Sequence, residues 1–83
     1  MSDAALKKLL TELDKFVTPH ISAGTETQIV FYLPAFQDLV WDNNTADAIT
    51  KRLGLKVKFS KHNLDFTLRR TGDVVNVNLT KKF

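Results

Sequence analysis

Residues whose types suit chemistry are few in this 83-residue chain, and they are widely spaced. The only histidines, His20 and His62, lack the His-x-x-x-His or Glu-x-x-His spacing that puts two metal ligands on one helix face. The chain has no cysteine, which excludes disulfides and thiolate metal sites. We therefore expect both histidines to be exposed loop residues, and we expect neither a metal nor a cofactor.

Motifs for catalysis are equally scarce. No nucleophile-elbow motif and no motif of paired carboxylates occurs. The glycines Gly24, Gly54 and Gly72 stand too far apart to build a loop that cradles phosphate. Since a chain of this length has one small core with which to preorganise a site, the expectation is a protein without catalytic residues or enzymatic activity.

The distribution of charge is more informative than the net charge of +3. Residues 1–50 carry three lysines against seven acids, whereas residues 51–83 carry nine basic residues against two acids. Such asymmetry indicates an anionic partner for the basic half, and lysine, arginine and asparagine are donors that contact phosphates and base edges. The predicted nucleic-acid-binding residues are Lys51, Arg52, Lys56, Lys58, Lys61, Arg69, Arg70, Asn76, Asn78, Lys81 and Lys82.

The N-terminal half predicts a helix followed by a strand. Leucines and other apolar residues recur at steps of three and four, which predicts an amphipathic helix capped by Ser2 or Asp3. The helix is expected to end near Val17, because Pro19 disfavours helical dihedrals in the residue before it. A loop over residues 18–26 and a buried strand over residues 27–33 follow.

Two short helices are predicted next. The first covers residues 35–41, with Pro34 in its first turn. The second begins at a cap on Asn44 or Thr45 and runs to Leu53, with Gly54 as its C-terminal stop.

From Leu55 onward the apolar residues alternate with polar ones. This period of two predicts strands starting at Leu55, Leu64 and Val75, joined by turns over residues 60–63 and at Thr71–Gly72. Leu68 then lies opposite Val75. The predicted fold is a single α+β domain over residues 1–83, with a helix, a strand, two short helices and a three-stranded antiparallel meander.

A winged helix-turn-helix is the alternative architecture. The segment from Thr45 to Leu55 resembles a helix of helix-turn-helix and winged-helix DNA-binding domains, over eleven residues only. That resemblance implies a helix pair, made either of residues 35–41 and 45–53 or of residues 45–53 and 60–70. The alternation of residues 64–69 conflicts with the second pair.

The open face of the predicted sheet is expected to display Lys56, Lys58 and Ser60 together with polar residues of the other two strands. Phe59 and Phe66 fall on the inward positions, which leaves only Phe83 free in this half. Without a stacking surface, binding of single strands is disfavoured and duplex DNA is the expected ligand. The aromatics Trp41, Tyr32 and Phe36 are expected to fill the core.

The sequence therefore predicts a small non-catalytic protein that binds duplex DNA through its basic half, as a regulator. The alternative is a protein-interaction module, an inhibitor or adaptor of a larger machine, that docks through Trp41 and its neighbours or through an exposed sheet edge. A third possibility is a structural subunit that is stable only as an oligomer. No signal-like segment or membrane-spanning run is seen, so a cytosolic location without a membrane partner is the default expectation.

Overall fold

The elements follow one another as helix, strand, helix and β-hairpin in this computed structural model, which describes residues 2–37 and 39–82, apart from the side chain of Ser2. They are α1 (Ser2–Ala23), β1 (Thr27–Tyr32), a 3-10 turn (Leu33–Ala35), α2 (Asn43–Lys58), β2 (Leu64–Thr71) and β3 (Val74–Lys81). The predicted α+β class is confirmed, as two helices and a three-stranded antiparallel sheet.

Helix α1 is longer than predicted. Its buried residues recur every four positions as Leu9, Leu13, Val17 and Ile21, so the apolar stripe continues one turn past Val17 and beyond Pro19. A proline inside a helix costs about 3 kcal/mol, and burial of the turn that carries Ile21 offsets this cost. The predicted end near Val17 and the loop starting at residue 18 are therefore wrong.

Gly24 ends α1. It adopts a left-handed φ of +70° and donates its N–H to the carbonyl of Ile21 at 3.3 Å, while Thr25 donates to the carbonyl of His20 at 3.0 Å. This conformation satisfies carbonyls at the helix end and costs glycine little, because glycine has no Cβ. The chain then reverses into β1.

The predicted helix over residues 35–41 is wrong, because no α-helix forms in the described part of that segment. Asp38 lies outside the described residues. Only the 3-10 turn Leu33–Ala35 forms, with Pro34 in its first turn. Leu33 donates its N–H to the carbonyl of Asp73 at 2.8 Å, which fixes the end of β1 to the hairpin loop. The segment continues irregularly because burial of Phe36 against Phe31 directs it into the core.

Asp42 caps α2, ahead of the predicted caps Asn44 and Thr45. Its Oδ1 accepts the N–H of Thr45 at 2.8 Å, and the Thr45 hydroxyl donates to the carbonyl of Val40 at 2.7 Å. The backbone hydrogen bond from Thr45 holds the pKa of Asp42 below its ordinary value of 3.8. The cap therefore works best with the carboxylate ionised.

Helix α2 also continues beyond its predicted end at Leu53. Buried Thr45, Ile49 and Leu53 recur every four residues, and half-buried Val57 extends that stripe. Gly54 thus lies inside the helix and is not its stop. An interior glycine costs only about 1 kcal/mol, which tertiary packing of the stripe outweighs.

The predicted strand from Leu55 to Phe59 is consequently wrong. These positions belong to the last turns and C-terminal cap of α2, where Leu55 and Phe59 point to solvent and only Val57 packs against the core. Alternating apolar residues over five positions fit a helix as well as a strand when one of them belongs to a helical stripe.

The third strand of the sheet is β1, and β3 is the central strand in the order β1-β3-β2. Ile29 and Phe31 of β1 lie opposite Val77 and Val75 of β3. Both helices pack on the sheet face formed by these side chains. The core comprises Leu9, Leu13, Val17, Ile21, Phe31, Phe36, Ile49, Leu53, Leu64, Val75, Val77 and Leu79.

The β2–β3 hairpin is confirmed with a different register. Leu68 lies opposite Val77, not Val75, because the loop is Gly72–Asp73 and not Thr71–Gly72. Two-residue hairpin turns place their first residue at positive φ, which Gly72 adopts at +59° and a β-branched residue such as Thr71 resists. The displacement is an even number of residues, so the inward side chains are the predicted ones.

Neither helix pair of the helix-turn-helix alternative forms within the described ranges. Residues 35–41 contain no α-helix there, and β2 occupies most of residues 60–70.

Candidate nucleic-acid interface

Four of the predicted binding residues meet at one end of the molecule. Lys58 is the last residue of α2, Lys61 lies in the following loop, Lys81 ends β3, and Lys82 follows it. Lys82 donates its N–H to the carbonyl of Asn63 at 2.9 Å, and the Asn63 amide donates to the carbonyl of Lys82 at 3.0 Å. These bonds join the loop to the end of β3, and we call Lys58, Lys61, Lys81 and Lys82 the basic end.

The basic end carries some negative charge as well. Glu26 accepts the backbone N–H of Lys81 at 3.0 Å through Oε2, and exposed Asp65 lies opposite Thr80 one position along the hairpin. Four ammonium groups against two carboxylates leave a positive excess. The side chains of all four lysines are exposed to solvent.

Arg52 and Lys56 are held by helix α1. Arg52 Nη1 lies 2.7 Å from Asp14 Oδ2, and Lys56 Nζ lies 3.3 Å from Asp14 Oδ1. Lys56 also donates to the hydroxyl of Thr18 at 3.1 Å. These two predicted ligands of phosphate are therefore occupied within the protein, and they lie between the two helices and not on the open sheet face.

The remaining basic residues lie elsewhere. Lys51 is exposed midway along α2. Arg69 and Arg70 stand near the hairpin loop, where Arg70 Nε donates to the carbonyl of Gly72 at 2.9 Å. About six residues of extended strand, roughly 20 Å, separate them from the start of β2 at the basic end. The eleven predicted residues thus do not form one surface.

Asn76 and Asn78 lie on the open face of the sheet, as predicted from their alternation in β3. Asn76 accepts a hydrogen bond from the Gln28 amide at 3.1 Å, and it lies opposite Arg69 of β2. Asn78 lies opposite Thr67. Because Lys56, Lys58 and Ser60 are not in this sheet, the face is nearly neutral, which corrects the predicted basic face.

Exposed aromatic side chains occur where the sequence predicted none. Phe59 is 80% exposed, next to Lys58 at the C-terminal cap of α2. Tyr32 is 58% exposed on the open face of β1. Phe66 does face the core, as predicted, and Phe83 lies outside the described residues. Phe59 is therefore free for stacking, and its predicted inward position is wrong because residues 55–58 are helical.

The predicted core cluster of Trp41, Tyr32 and Phe36 divides in two. Phe36 is buried, with its ring edge-on to Phe31 at a centroid distance of 6.1 Å, and Trp41 packs against the core. Tyr32 points the other way, because the alternation of β1 places it on the open face.

The histidines flank the end of α1. His20 lies in the last turn of α1, not in a loop, with Nδ1 3.0 Å from the Thr25 hydroxyl. His62 lies in the loop before β2, with Nε2 3.2 Å from the carbonyl of Ser22. Within residues 2–37 and 39–82, no three metal-ligating side chains of His, Asp or Glu are grouped together.

A groove of about 520 Å³ lies between the end of α1 and the loop after α2. Its lining comprises Thr18, Ile21, Ser22, Lys56, Phe59, Ser60, Lys61 and His62. Lys61, the exposed ring of Phe59 and three hydroxyl-bearing residues thus line one groove at the basic end, together with Lys56, which Asp14 holds.

Comparison of this chain with models of protein families, with curated proteins and with solved structures gives no match. Neither of the described helices is both long and apolar enough to span a membrane.

Proposed function

We propose that this chain is a small non-catalytic nucleic-acid-binding protein, with duplex DNA as its ligand and a regulatory role. The observation that carries the proposal is the convergence of four exposed lysines from three segments at the basic end. Phosphates are the ligand chemistry because ammonium groups on flexible stems neutralise a regularly charged polyanion and release its counterions. The partly opposing Glu26 and Asp65 keep the expected affinity moderate.

The salt dependence of binding tests this proposal. Four phosphate contacts predict a log–log slope of affinity against salt of roughly −3 to −4 for duplex DNA. The triple variant Lys58→Ala, Lys61→Ala, Lys82→Ala should weaken binding across sequences and make the slope shallower by about three. Fluorescence anisotropy with a labelled duplex at several salt concentrations measures both quantities.

The triple variant Lys7→Ala, Lys8→Ala, Lys15→Ala is the matched control, because it removes the same charge from α1. Equal losses for the two triple variants would mean that net charge alone acts, and that the basic end is not the site. No binding of duplex DNA or RNA at about 50 mM salt would overturn the proposal itself.

Insertion of helix α2 alone into a DNA groove would give a different result in the same assay. In that mode the outward face of α2, which carries Lys51, enters a groove. Lys51→Ala should then weaken binding more than Lys82→Ala does. If the basic end is the site, Lys82→Ala should weaken binding more than Lys51→Ala does.

Asn78→Ala, on the open face, should relax base preference more than affinity if β3 contacts bases.

A protein-interaction function is the second candidate, and the free edge of β1 favours it. The strand order leaves β1 with one unpaired side, and Thr27–Tyr32 contains neither a charged residue nor proline. Val30 is 56% exposed beside Tyr32, and Phe16 of α1 borders a groove of about 450 Å³ along this edge. Natural edges usually carry charge or proline to block strand addition, as the β2 edge does with Arg69 and Asp65.

A second copy of the chain is the occupant proposed for the β1 edge, with the two β1 strands antiparallel. Sedimentation at rising protein concentration should then detect a dimer. Val30→Lys should abolish it, and Thr67→Lys, on the same face of β2, should not. A monomer at all concentrations contradicts strand addition between copies.

A further inference from the structure

Phe59 is the most exposed large apolar side chain among those described, and its backbone is fixed. Its N–H forms hydrogen bonds with the carbonyls of Leu55 and Val57 as the C-terminal cap of α2, while 80% of the residue is accessible to solvent. Leu55, one turn earlier, is 55% exposed. The two side chains lie one turn apart on the same side of the helix, and contiguous exposed apolar surface marks binding sites.

The surroundings of Phe59 are cationic and polar. Lys58 precedes it and Lys61 lines the same groove, as does Lys56, whose charge is paired with Asp14. The hydroxyls of Thr18, Ser22 and Ser60 and the ring of His62 line it too. A ligand that suits all these groups has a flat apolar surface, hydrogen-bonding edges and negative charge.

The loop that forms one wall of the groove is held in place before any ligand binds. His62 donates its N–H to the Ser60 hydroxyl at 3.0 Å, and its ring nitrogen lies 3.2 Å from the carbonyl of Ser22. The same ring packs on Gly24, where an added Cβ would lie 2.6 Å from it. Binding at a preformed wall loses little conformational entropy.

We propose that Phe59 stacks on one unpaired nucleobase while Lys58 and Lys61 contact the neighbouring phosphates. A nucleobase has the flat apolar face and polar edges that this groove suits, and its phosphate carries the charge. The base must be unpaired, because the faces of bases inside a duplex are covered by their neighbours. Among residues 2–37 and 39–82, Phe59 is the one exposed aromatic ring at this end, and one ring accommodates one base. The ligand is therefore a duplex with an unpaired base beside it.

An anionic membrane surface is the other partner that attracts lysines next to a phenylalanine. Membrane binding by an amphipathic surface needs a broad apolar face, whereas among the described residues of this end only Leu55 extends the surface of Phe59. The hydroxyls of Thr18 and Ser22 in the groove also favour a ligand with hydrogen-bonding edges. Nucleic acid is therefore the partner that the groove supports.

Stacking by Phe59 rests on the proposed function, which is binding of duplex DNA. Anisotropy titrations with two probes test stacking and duplex binding separately. The probes are one blunt DNA duplex and the same duplex with a single-stranded overhang of about five nucleotides. Wild-type protein should bind the overhang probe more tightly. Phe59→Ala should weaken binding of that probe about tenfold and leave the blunt duplex nearly unchanged.

Two further variants complete the test. Phe59→Trp should restore tight binding, because stacking needs an aromatic face. Tyr32→Ala removes an exposed aromatic residue from the open sheet face and should have no effect. Phe59 is exposed, so its variants should retain the wild-type melting temperature and circular dichroism spectrum.

Equal affinity of wild-type protein for the two probes, with no effect of Phe59→Ala, would overturn stacking and leave the proposed function standing. Failure to bind either probe would remove both proposals. Binding of vesicles that contain phosphatidylserine, lost in Phe59→Ala while neither DNA probe binds, would assign this surface to a membrane instead.

Discussion

The carboxylate of Asp42 is the group whose ionisation the fold most clearly controls. The hydrogen bond from Thr45 lowers the pKa of Asp42 below 3.8, so the folded chain favours the ionised form relative to the unfolded chain. Its charge-dependent contribution to stability is complete well above pH 3.8 and is lost as the pH falls through the lower folded-state pKa. Asp42→Ala should lower the melting temperature at neutral pH, and the difference from wild type should shrink in acid.

Circular dichroism melts over a pH series measure this difference. Asp42→Asn is the control, because asparagine also caps helices and does not titrate. It should lose less stability at neutral pH than the alanine variant. A constant difference between wild type and Asp42→Ala at all pH values would exclude a role for the ionised carboxylate.

Asp14 links stability to binding at the residue scale. It holds both Arg52 and Lys56, and its partly exposed position makes each ion pair worth no more than about 1 kcal/mol. Asp14→Asn should therefore destabilise the fold slightly and at the same time strengthen binding of duplex DNA, because it releases Arg52 and also Lys56, which lines the groove. Anisotropy titration at low salt measures the gain.

Asp47→Asn provides the comparison for Asp14→Asn, since it removes the same charge from an exposed position on α2. If the two variants bind DNA equally, the effect is one of net charge, and release of Arg52 and Lys56 plays no part.

At the scale of elements, Gly54 distinguishes the observed helix α2 from the predicted shorter one. A Cβ at Gly54 meets no atom within 4 Å, and the residue lies in the helix interior. Gly54→Ala should thus stabilise the protein by roughly 0.5 to 1 kcal/mol. At a helix stop with positive φ the same change would destabilise. Urea unfolding at equilibrium measures the sign.

Gly24→Ala is expected to have the opposite effect. The φ of +70° at Gly24 is strained for alanine, and its Cβ would lie 2.6 Å from the His62 ring. The loss should exceed about 1 kcal/mol in the same urea experiment. Equal and small effects at the two glycines would contradict the observed ends of both helices.

The elements that the sequence predicted well are those in which one periodicity acts alone. Apolar and polar residues alternate over residues 64–69 and 75–80, and both segments lie in strands with the predicted inward side chains. Around Val57 two periodicities overlap, because it continues the four-residue stripe of α2 and also alternates with Leu55 and Phe59. Only the tertiary packing decides between them. The end of α1 was predicted wrongly for a similar reason. The local preference of Pro19 against a helix is outweighed by burial of Ile21.

At the scale of the whole molecule, stability depends on the central strand. Leu79 is 2% exposed and lies opposite both Thr27 of β1 and Phe66 of β2. Leu79→Ala should cost about 2 to 5 kcal/mol, whereas Thr80→Ala, exposed on the next position, should cost under about 0.5. The midpoints of urea unfolding, compared at equal m-values, measure the cost of each substitution. Similar costs would mean that the two faces of β3 are misassigned.

The candidate interface was predictable from sequence only in part. The excess of lysine after residue 50 identified Lys58, Lys61, Lys81 and Lys82, but nothing local placed them together. The hydrogen bonds between Asn63 and Lys82 do so across the hairpin. The pairing of Asp14 with Arg52 joins residues that are 38 positions apart, which composition does not reveal.

The position of β3 in the sheet also sets an order of assembly during synthesis. Both β1 and β2 form their ladders only with β3, and β3 follows both of them along the chain. A ribosome that has released residues up to 73 thus exposes two strands with no partner, one of which has the uncharged edge of β1. The helices can form by then, but the sheet forms only after residues 74–81 emerge, which makes this interval the one most open to chaperones and to aggregation.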